Sequence, residues 1–324
     1  MRRVAAILNA TAGAVTSARI AIIRAELDDD AVWVTTSLAD AERAFDAIVA
    51  RGFDVVCTGG GDGTFVHAVA ALAARGAHPI LFAFALGSGN AIAEVCGASS
   101  PSARGIARDL ARARGDEPAA TMRLLDVDGH LAHSVGFGVD ATYNVDLDRV
   151  AKPGRKRWWT RLLFAGVPGM AITAAVRTMP RLARGYAPHL RIVAMGPATR
   201  LAHDGSALED VPAGTVLRDA PTTIAAASTV PTYGRGLILF PYTEHRADRV
   251  HLRCGNFGAL GAIHDLACMF TGGQRWLVGV EDFLVSSVTI ESIDRCPAHR
   301  GGEVWWPEAP VAIAISPEPI AVLR

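Results

Sequence analysis

The sequence predicts an α/β domain built on a doubly wound parallel sheet, followed by a mostly antiparallel β-sandwich domain. Up to about residue 120, short apolar runs alternate with amphipathic stretches of helical spacing. Two glycine-rich segments each close a run and open a helix, and beyond residue 122 the pattern turns to short β-like runs bounded by turn signals.

In the first part the runs are Val4 to Leu8, Ala31 to Thr35, Phe53 to Cys57 and Pro79 to Leu86, which read as strands. Between them, Ala14 to Leu27, Ala39 to Arg51, Thr64 to Ala74 and Ala91 onward read as helices. In the second part the strand candidates are Met122 to Val127, His133 to Phe137, His189 to Met195, Thr222 to Ala227, Leu237 to Phe240, Val250 to Arg253, Ser287 to Ile290 and Val311 to Ile315. A helical interval at about Trp158 to Ala183 interrupts them, and Pro197 to Ala220 reads as a surface hairpin or loop. The expected domains are 1–121 and 122–324, with the last segment a candidate to return to the first domain.

The 32 basic side chains balance the 32 acidic ones, and half of the 324 residues are hydrophobic, which suits a globular chain and gives no footprint for nucleic acid. All basic residues except Lys152 and Lys156 are arginine. Five scattered cysteines, with no CxxC spacing, indicate neither a disulfide framework nor a zinc site and suggest a reducing cytoplasm. Met1 to Leu8 is too short in its apolar part for a secretory core and reads as a first strand. Leu162 to Val176, interrupted by Pro168 and Gly169, falls short of the roughly 20 residues that span a bilayer.

The sharpest feature is Gly59-Gly60-Gly61-Asp62-Gly63-Thr64, between a strand and a helix. Glycines allow close backbone approach, and a helix start offers free N–H groups and a positive dipole end, so the loop suits a phosphate. As plain structure it would be a tight turn with Thr64 as the helix cap. A second loop, Leu86-Gly87-Ser88-Gly89-Asn90, again joins a strand to a helix and would present its backbone at the same rim. Neither loop carries the lysine of a P-loop, so phosphate charge would fall to backbone N–H groups, arginine and a bound Mg²⁺ near Asp62.

Together with Gly136-Phe137-Gly138-Val139-Asp140-Ala141, these motifs resemble those of the lipid kinases related to diacylglycerol kinase and sphingosine kinase, over nearly the whole chain. The resemblance implies an NAD kinase-like first domain that binds ATP, a β-sandwich second domain that builds the lipid cleft, and ATP and Mg²⁺ as cofactors. It identifies Asn9, Thr35, Gly59, Gly60, Gly61, Asp62, Gly63, Thr64, Gly87, Ser88, Gly89 and Asn90 as nucleotide-site residues, and Asp140 as an acidic residue facing the lipid head group. Gly234 to Pro241 with Ala247-Asp248 resembles a loop that holds a structural Mg²⁺, making Asp248 a metal candidate although Arg249 replaces the usual glycine.

One departure concerns the chemistry. The family's Asp-Gly-Glu motif, whose aspartate takes the proton of the attacking hydroxyl, stands here as Gly301-Gly302-Glu303. Glu303, His299 and Asp140 are the candidate substitutes, Glu303 first because it keeps its place in the motif. His67 stands where these kinases often carry glutamate, and is expected at an interdomain surface.

The expected function is phosphorylation of a lipid alcohol. Alternatives are a nucleotide-binding relative that has lost catalysis and an enzyme like NAD kinase, which shares the GGDGT motif but whose Asn-Glu substrate motif has no counterpart here, while LGSGN favours the lipid branch. Lys152, Arg155, Lys156 and Arg157 beside Trp158 and Trp159 suit contact with an anionic membrane surface, or a helix start packed on the second domain. The expected setting is cytoplasmic, peripheral at the inner face of the membrane, with a homodimer as a candidate assembly and no nucleic-acid partner.

Overall fold

The computed structural model of the protein describes residues 1–156, 166–269 and 279–324. They form two compact units. The first comprises Met1–Arg123, Thr232–Leu237 and Pro317–Arg324, and the second Leu124–Pro231 and Ile238–Ser316.

The first unit runs β1 (Val4–Asn9), α1 (Ser17–Glu26), β2 (Val32–Thr35), α2 (Leu38–Arg51), β3 (Val55–Gly60), α3 (Asp62–Ala73), β4 (Ile80–Ala85), α4 (Ala91–Val95), α5 (Ala103–Arg114) and β5 (Ala120–Met122). Strands β2, β1, β3 and β4 lie side by side and parallel, as the alternation predicts. β3 is buried along its whole length and β1 and β4 nearly so, which is why they read as continuous apolar runs. Helix α2 shows why the helical stretches were legible. Ser37 caps its start by accepting from the Asp40 N–H, Ala41, Ala44, Phe45 and Ile48 form one buried stripe, and Gly52 ends it at φ +64°. The strand Ile320–Val322 inserts between β4, parallel, and β5, antiparallel, so the last segment does join this sheet.

The second unit contains β6 (Leu125–Val127), β7 (His130–Ala132), β8 (Ser134–Gly138), α6 (Val139–Lys156), α7 (Gly166–Thr173), a π-helical turn (Ala174–Thr178), α8 (Met179–Ala183), β9 (His189–Ala194), β10 (Ala198–Leu201), β11 (Ala207–Val211), β12 (Val216–Pro221), β13 (Ile224–Ser228), β14 (Val250–Gly255), α9 (Ala259–Met269), β15 (Val280–Val285), β16 (Ser287–Ser292), β17 (Ala298–Arg300), β18 (Glu303–Trp305) and β19 (Val311–Ile315). Two sheets form, in the orders β11-β10-β15-β14-β13-β8-β17-β18 and β12-β9-β16-β19-β6-β7, with antiparallel pairings throughout. Alternate residues of both, among them Val135, Phe137, Leu252 and Phe283 from the first and Val127, Ile192, Val288 and Ile313 from the second, share one core. This is a β-sandwich.

Several local expectations are corrected. Met122 to Val127 is not one strand: β5 closes the sheet of the first unit and β6 opens in the second. Of the hairpin or loop expected at Pro197 to Ala220 the structure has the hairpin, β10 paired antiparallel with the exposed polar edge β11, and adds β12, which pairs with β9 in the other sheet. Leu237 to Phe240 forms no strand. Leu239 and Phe240 are buried as loop anchors, their N–H groups both donating to the Pro231 carbonyl. β15 and α9 were not anticipated, and Trp158 to about residue 165 lies outside the described residues.

One ionic cluster sits inside the second unit. Arg253 on β14 faces Asp282 on β15, donating from Nε at 2.7 Å to Oδ1 and from a terminal nitrogen at 3.0 Å to Oδ2, and His251 Nε2 reaches Oδ1 at 2.8 Å. Among the described residues no helix is long and apolar enough to cross a membrane, and four free cysteines, Cys57, Cys96, Cys254 and Cys296, are buried. Burial raises the Cys96 thiol to about 11.

Candidate active site

In the first unit, β3 and β4 are paired in register through Gly60 and Ala85, so the loops that follow them leave the sheet at the same rim. The two loops touch by backbone. A Cβ on Gly87 would stand 2.6 Å from Gly61 Cα, and one on Gly60 would stand 2.4 Å from Thr64 Oγ1, so only glycine fits either place. Gly61, in extended conformation, is the residue before α3, and Asp62 opens the helix; Thr64 lies inside it and is not the cap. Instead Thr64 Oγ1 accepts from Asn9 Nδ2 at 3.4 Å.

Asp62 joins the loops. Its Oδ1 accepts from the Ile92 N–H at 2.8 Å at the start of α4, while Oδ2 borders Gly89, where a Cβ would come within 3.1 Å. Asn90, at φ +68°, accepts from the Gly87 N–H through Oδ1 at 2.6 Å and so closes its own loop. Thr35 pairs with Asn9 across β2 and β1 and is buried, its hydroxyl donating to the Leu8 carbonyl at 3.4 Å. All twelve residues named above for a nucleotide therefore lie at or beside the carboxyl ends of parallel strands, where open α/β sheets receive ligands.

The loop Thr232–Leu237 completes this rim, and local sequence pattern could not have placed it there. Glu94 on α4 holds it at both ends, accepting from Thr232 Oγ1 at 2.8 Å and from the Gly236 N–H at 3.0 Å. At Gly234 a Cβ would stand 2.0 Å from the Gly89 carbonyl oxygen. Arg235 Nε donates to the Ser88 carbonyl at 2.9 Å. The signal available in the sequence was the motif-like run Gly234 to Pro241.

In the second unit, Asp140 at the start of α6 and His299 on β17 form a hydrogen-bonded pair, Nε2 to Oδ2 at 2.7 Å. The Gly302 N–H donates to His299 Nδ1 at 3.2 Å, which assigns the ring proton to Nε2. Beneath the pair lies Gly136, where a Cβ would stand 1.8 Å from Asp140 Oδ2 and 2.6 Å from His299 Nε2. Gly301, at φ +55°, occupies the turn between β17 and β18, with the His133 ring 3.3 Å from where its Cβ would be. Glu303 is exposed on β18.

His67 has contacts within the first unit: its Nε2 meets Glu42 Oε1 on α2 at 2.9 Å and its ring packs edge-on against Phe45. Asp248 is mostly exposed, and both its oxygens accept from Arg246 at 3.1 Å, which holds its carboxyl below the usual range. A cation there would have to displace that guanidinium. Among the described residues no group of three or more His, Cys, Asp or Glu could enclose a metal ion. Mg²⁺ in phosphoryl transfer needs only one or two protein carboxylates beside phosphates and water, and Asp62, whose Oδ1 holds Ile92 and whose Oδ2 borders the glycine loop, fits that requirement.

No curated protein sequence is significantly similar to the chain. Among solved structures, a diacylglycerol kinase from Bacillus anthracis is similar over 99% of this chain and 96% of its own, with a TM-score of 0.62 at 13% identity. A candidate diacylglycerol kinase from the same organism gives 0.64 at 15% identity with the same coverage. These likenesses concern the fold. Residues 3–122, which carry both glycine loops, match the diacylglycerol kinase catalytic domain. The chain thus carries a segment that matches the diacylglycerol kinase catalytic domain in its first unit, and along nearly its whole length it shares the fold of the solved diacylglycerol kinases.

Proposed function

We propose that the protein is an ATP- and Mg²⁺-dependent kinase that transfers the γ-phosphoryl group to the hydroxyl of diacylglycerol or a related lipid alcohol. The observation that carries this reading is the pair of backbone-touching glycine loops joined by Asp62, inside a segment that matches a diacylglycerol kinase catalytic domain. The loop N–H groups and the start of α3 hold phosphate oxygens, and Asp62 holds Mg²⁺ directly or through its waters. Bound there, the ion would neutralise charge developing on the transferred group.

In the second unit Asp140 takes the place of the absent aspartate at Gly301. The Asp140 carboxylate would accept the proton of the acceptor hydroxyl as that oxygen takes the phosphoryl group and ADP leaves. The carboxyl then returns the proton to solvent. His299 orients the carboxylate through its Nε2–H. Its Nδ1 is engaged by Gly302, so the ring itself is not the proton acceptor. Glu303, exposed near the turn, is the competing base. The Lys152, Arg155, Lys156, Arg157, Trp158 and Trp159 segment lies in or beside residues whose side chains are not described; its sequence supports transient contact with an anionic cytoplasmic membrane face.

A second reading, a nucleotide-binding protein without turnover, is favoured by Gly301 alone. One assay separates the two: the purified chain with Mg²⁺ and γ-labelled ATP, given dioleoylglycerol, sphingosine, an isoprenoid alcohol and NAD as acceptors. Label in an organic-soluble product supports the lipid kinase. Label in NADP moves the assignment to NAD kinase, and ATP binding with no labelled product supports the non-catalytic reading.

A further inference from the structure

Arg235 lies beside the glycine loops in a backbone conformation that its residue type disfavours. Only three described non-glycine residues have positive φ: Asn90, Asp128 and Arg235, the last at +57°. Asparagine and aspartate visit that region readily; arginine gains nothing from it locally. Glycine would adopt it without strain, and glycine is what the resembling motif has at this position. A residue held in such a conformation needs surroundings that fix it, and this loop has them. Glu94 clamps the loop through Thr232 and Gly236, and Gly234 is pressed against Gly89.

The result is a positioned guanidinium. Its Nε is bound to the Ser88 carbonyl in the middle of the second glycine loop, while the side chain remains exposed to solvent. The two terminal nitrogens can then donate as a fork to an oxyanion held by the loops. The need for such a group is also visible, since the only lysines in the chain are Lys152 and Lys156, in the second unit, and the first unit has no lysine to meet phosphate charge.

We propose that Arg235 binds the terminal phosphates of the nucleoside triphosphate, acting as an arginine supplied in cis by the loop Thr232–Leu237. The proposal rests on the nucleotide-binding reading of the glycine loops, but not on the identity of the acceptor. Ser88 sets the direction of the guanidinium, and Glu94 keeps the loop in place whether or not nucleotide is bound. Loss of Arg235 therefore removes phosphate affinity without removing the rest of the site.

The test is calorimetric titration of the full chain with MgATP, MgADP and adenosine, for the native protein, Arg235→Gly, Arg235→Gln and Arg235→Lys. Arg235→Gly relieves the backbone and should melt no lower than the native protein, and Arg235→Gln keeps a polar stem should the glycine variant fold poorly. Both should bind MgATP about 10- to 100-fold more weakly, the loss expected for charge-assisted hydrogen bonds, with adenosine affinity unchanged. Arg235→Lys should recover part of the affinity, keeping the charge but not the fork. MgATP affinity equal to the native value in both neutral variants would overturn the proposal. A native protein that binds no MgATP would overturn it together with the nucleotide reading. An intact affinity contrast with no phosphorylation of any lipid would support the proposal and remove only the lipid acceptor.

Discussion

His299 Nε2 lies 2.7 Å from Asp140 Oδ2, and the two side chains meet over Gly136, the one residue whose lack of a Cβ leaves room for both. The pair joins positions 159 residues apart and stands in the unit that holds Gly301, where the resembling motif has aspartate. If Asp140 is the base, Asp140→Asn should lower kcat by ~10²- to 10⁴-fold while the KM for ATP stays near its native value. His299→Gln, which keeps a donor, should lose less than His299→Leu, and Glu303→Gln should have little effect. Steady-state kinetics with the acceptor that the labelling assay identifies checks all four; a large loss confined to Glu303→Gln would reassign the base.

Gly136→Ala is a second, sharper probe. Its methyl would have to share space with Asp140 Oδ2 and His299 Nε2, so the pair must part. The variant should lose activity to about the level of Asp140→Asn, and urea titration should show destabilisation of about 1–3 kcal/mol, as for other overpacked sites.

Asp62→Asn separates fold from chemistry in the first unit. Asparagine can still accept from the Ile92 N–H, so the loops should remain joined and the melting temperature should change little. The charge that would hold Mg²⁺ is gone, and turnover should fall to a few per cent or less with a steeper requirement for Mg²⁺. Native turnover in this variant would refute the role given to Asp62.

Gly301→Asp restores the family residue. Its φ of +55° is one that aspartate visits more readily than most residues, and the His133 ring, 3.3 Å from the added Cβ, must give by a few tenths of an ångström. The variant should fold and raise kcat in the native background, and rescue part of the loss in Asp140→Asn. An inert change in both backgrounds would mean that the turn does not reach the acceptor.

The buried cluster of the second unit gives stability a pH dependence of fixed sign. Burial holds His251 below its ordinary value of 6.5, against the pull of Asp282. Burial opposes the charge of Asp282, but Arg253 and the hydrogen bonds from His251 and Arg253 outweigh it and hold that carboxyl below 3.8. The unfolded chain therefore binds more protons than the folded one as pH falls below about 6.5, and again below about 3.8. Unfolding free energy measured by urea should be full above pH 7 and decline toward pH 5.5, and His251→Gln should flatten that decline.

The parallel part of the fold was legible because β1, β3 and β4 are buried on both faces and α2 repeats its apolar stripe with helical period. The glycine loops were legible because close backbone approach admits no other residue. Contacts between distant positions were not. Glu94 and Thr232 are 138 positions apart, and neither residue carries a local mark of the other. β10 to β12 were read only as a surface hairpin or loop because an edge ribbon with exposed charged residues has no apolar alternation to display. Asp140 and His299 were each visible as candidates, but their pairing depends on β8 lying against β17, which no local pattern encodes.

The strand Ile320–Val322 gives the chain an order of events. During synthesis residues 3–122 leave the ribosome before that strand, with β4 lacking its neighbour and β5 lacking the partner it has in the described sheet. Roughly 200 residues follow before the gap can be filled, a delay of roughly 10 to 40 s at typical elongation rates. Through that interval the apolar edge of β4 is open to pairing with other nascent chains. A fragment cut at the limits of the recognised domain would keep that edge open permanently, so the segment that can be recognised is not the segment that can be expressed alone.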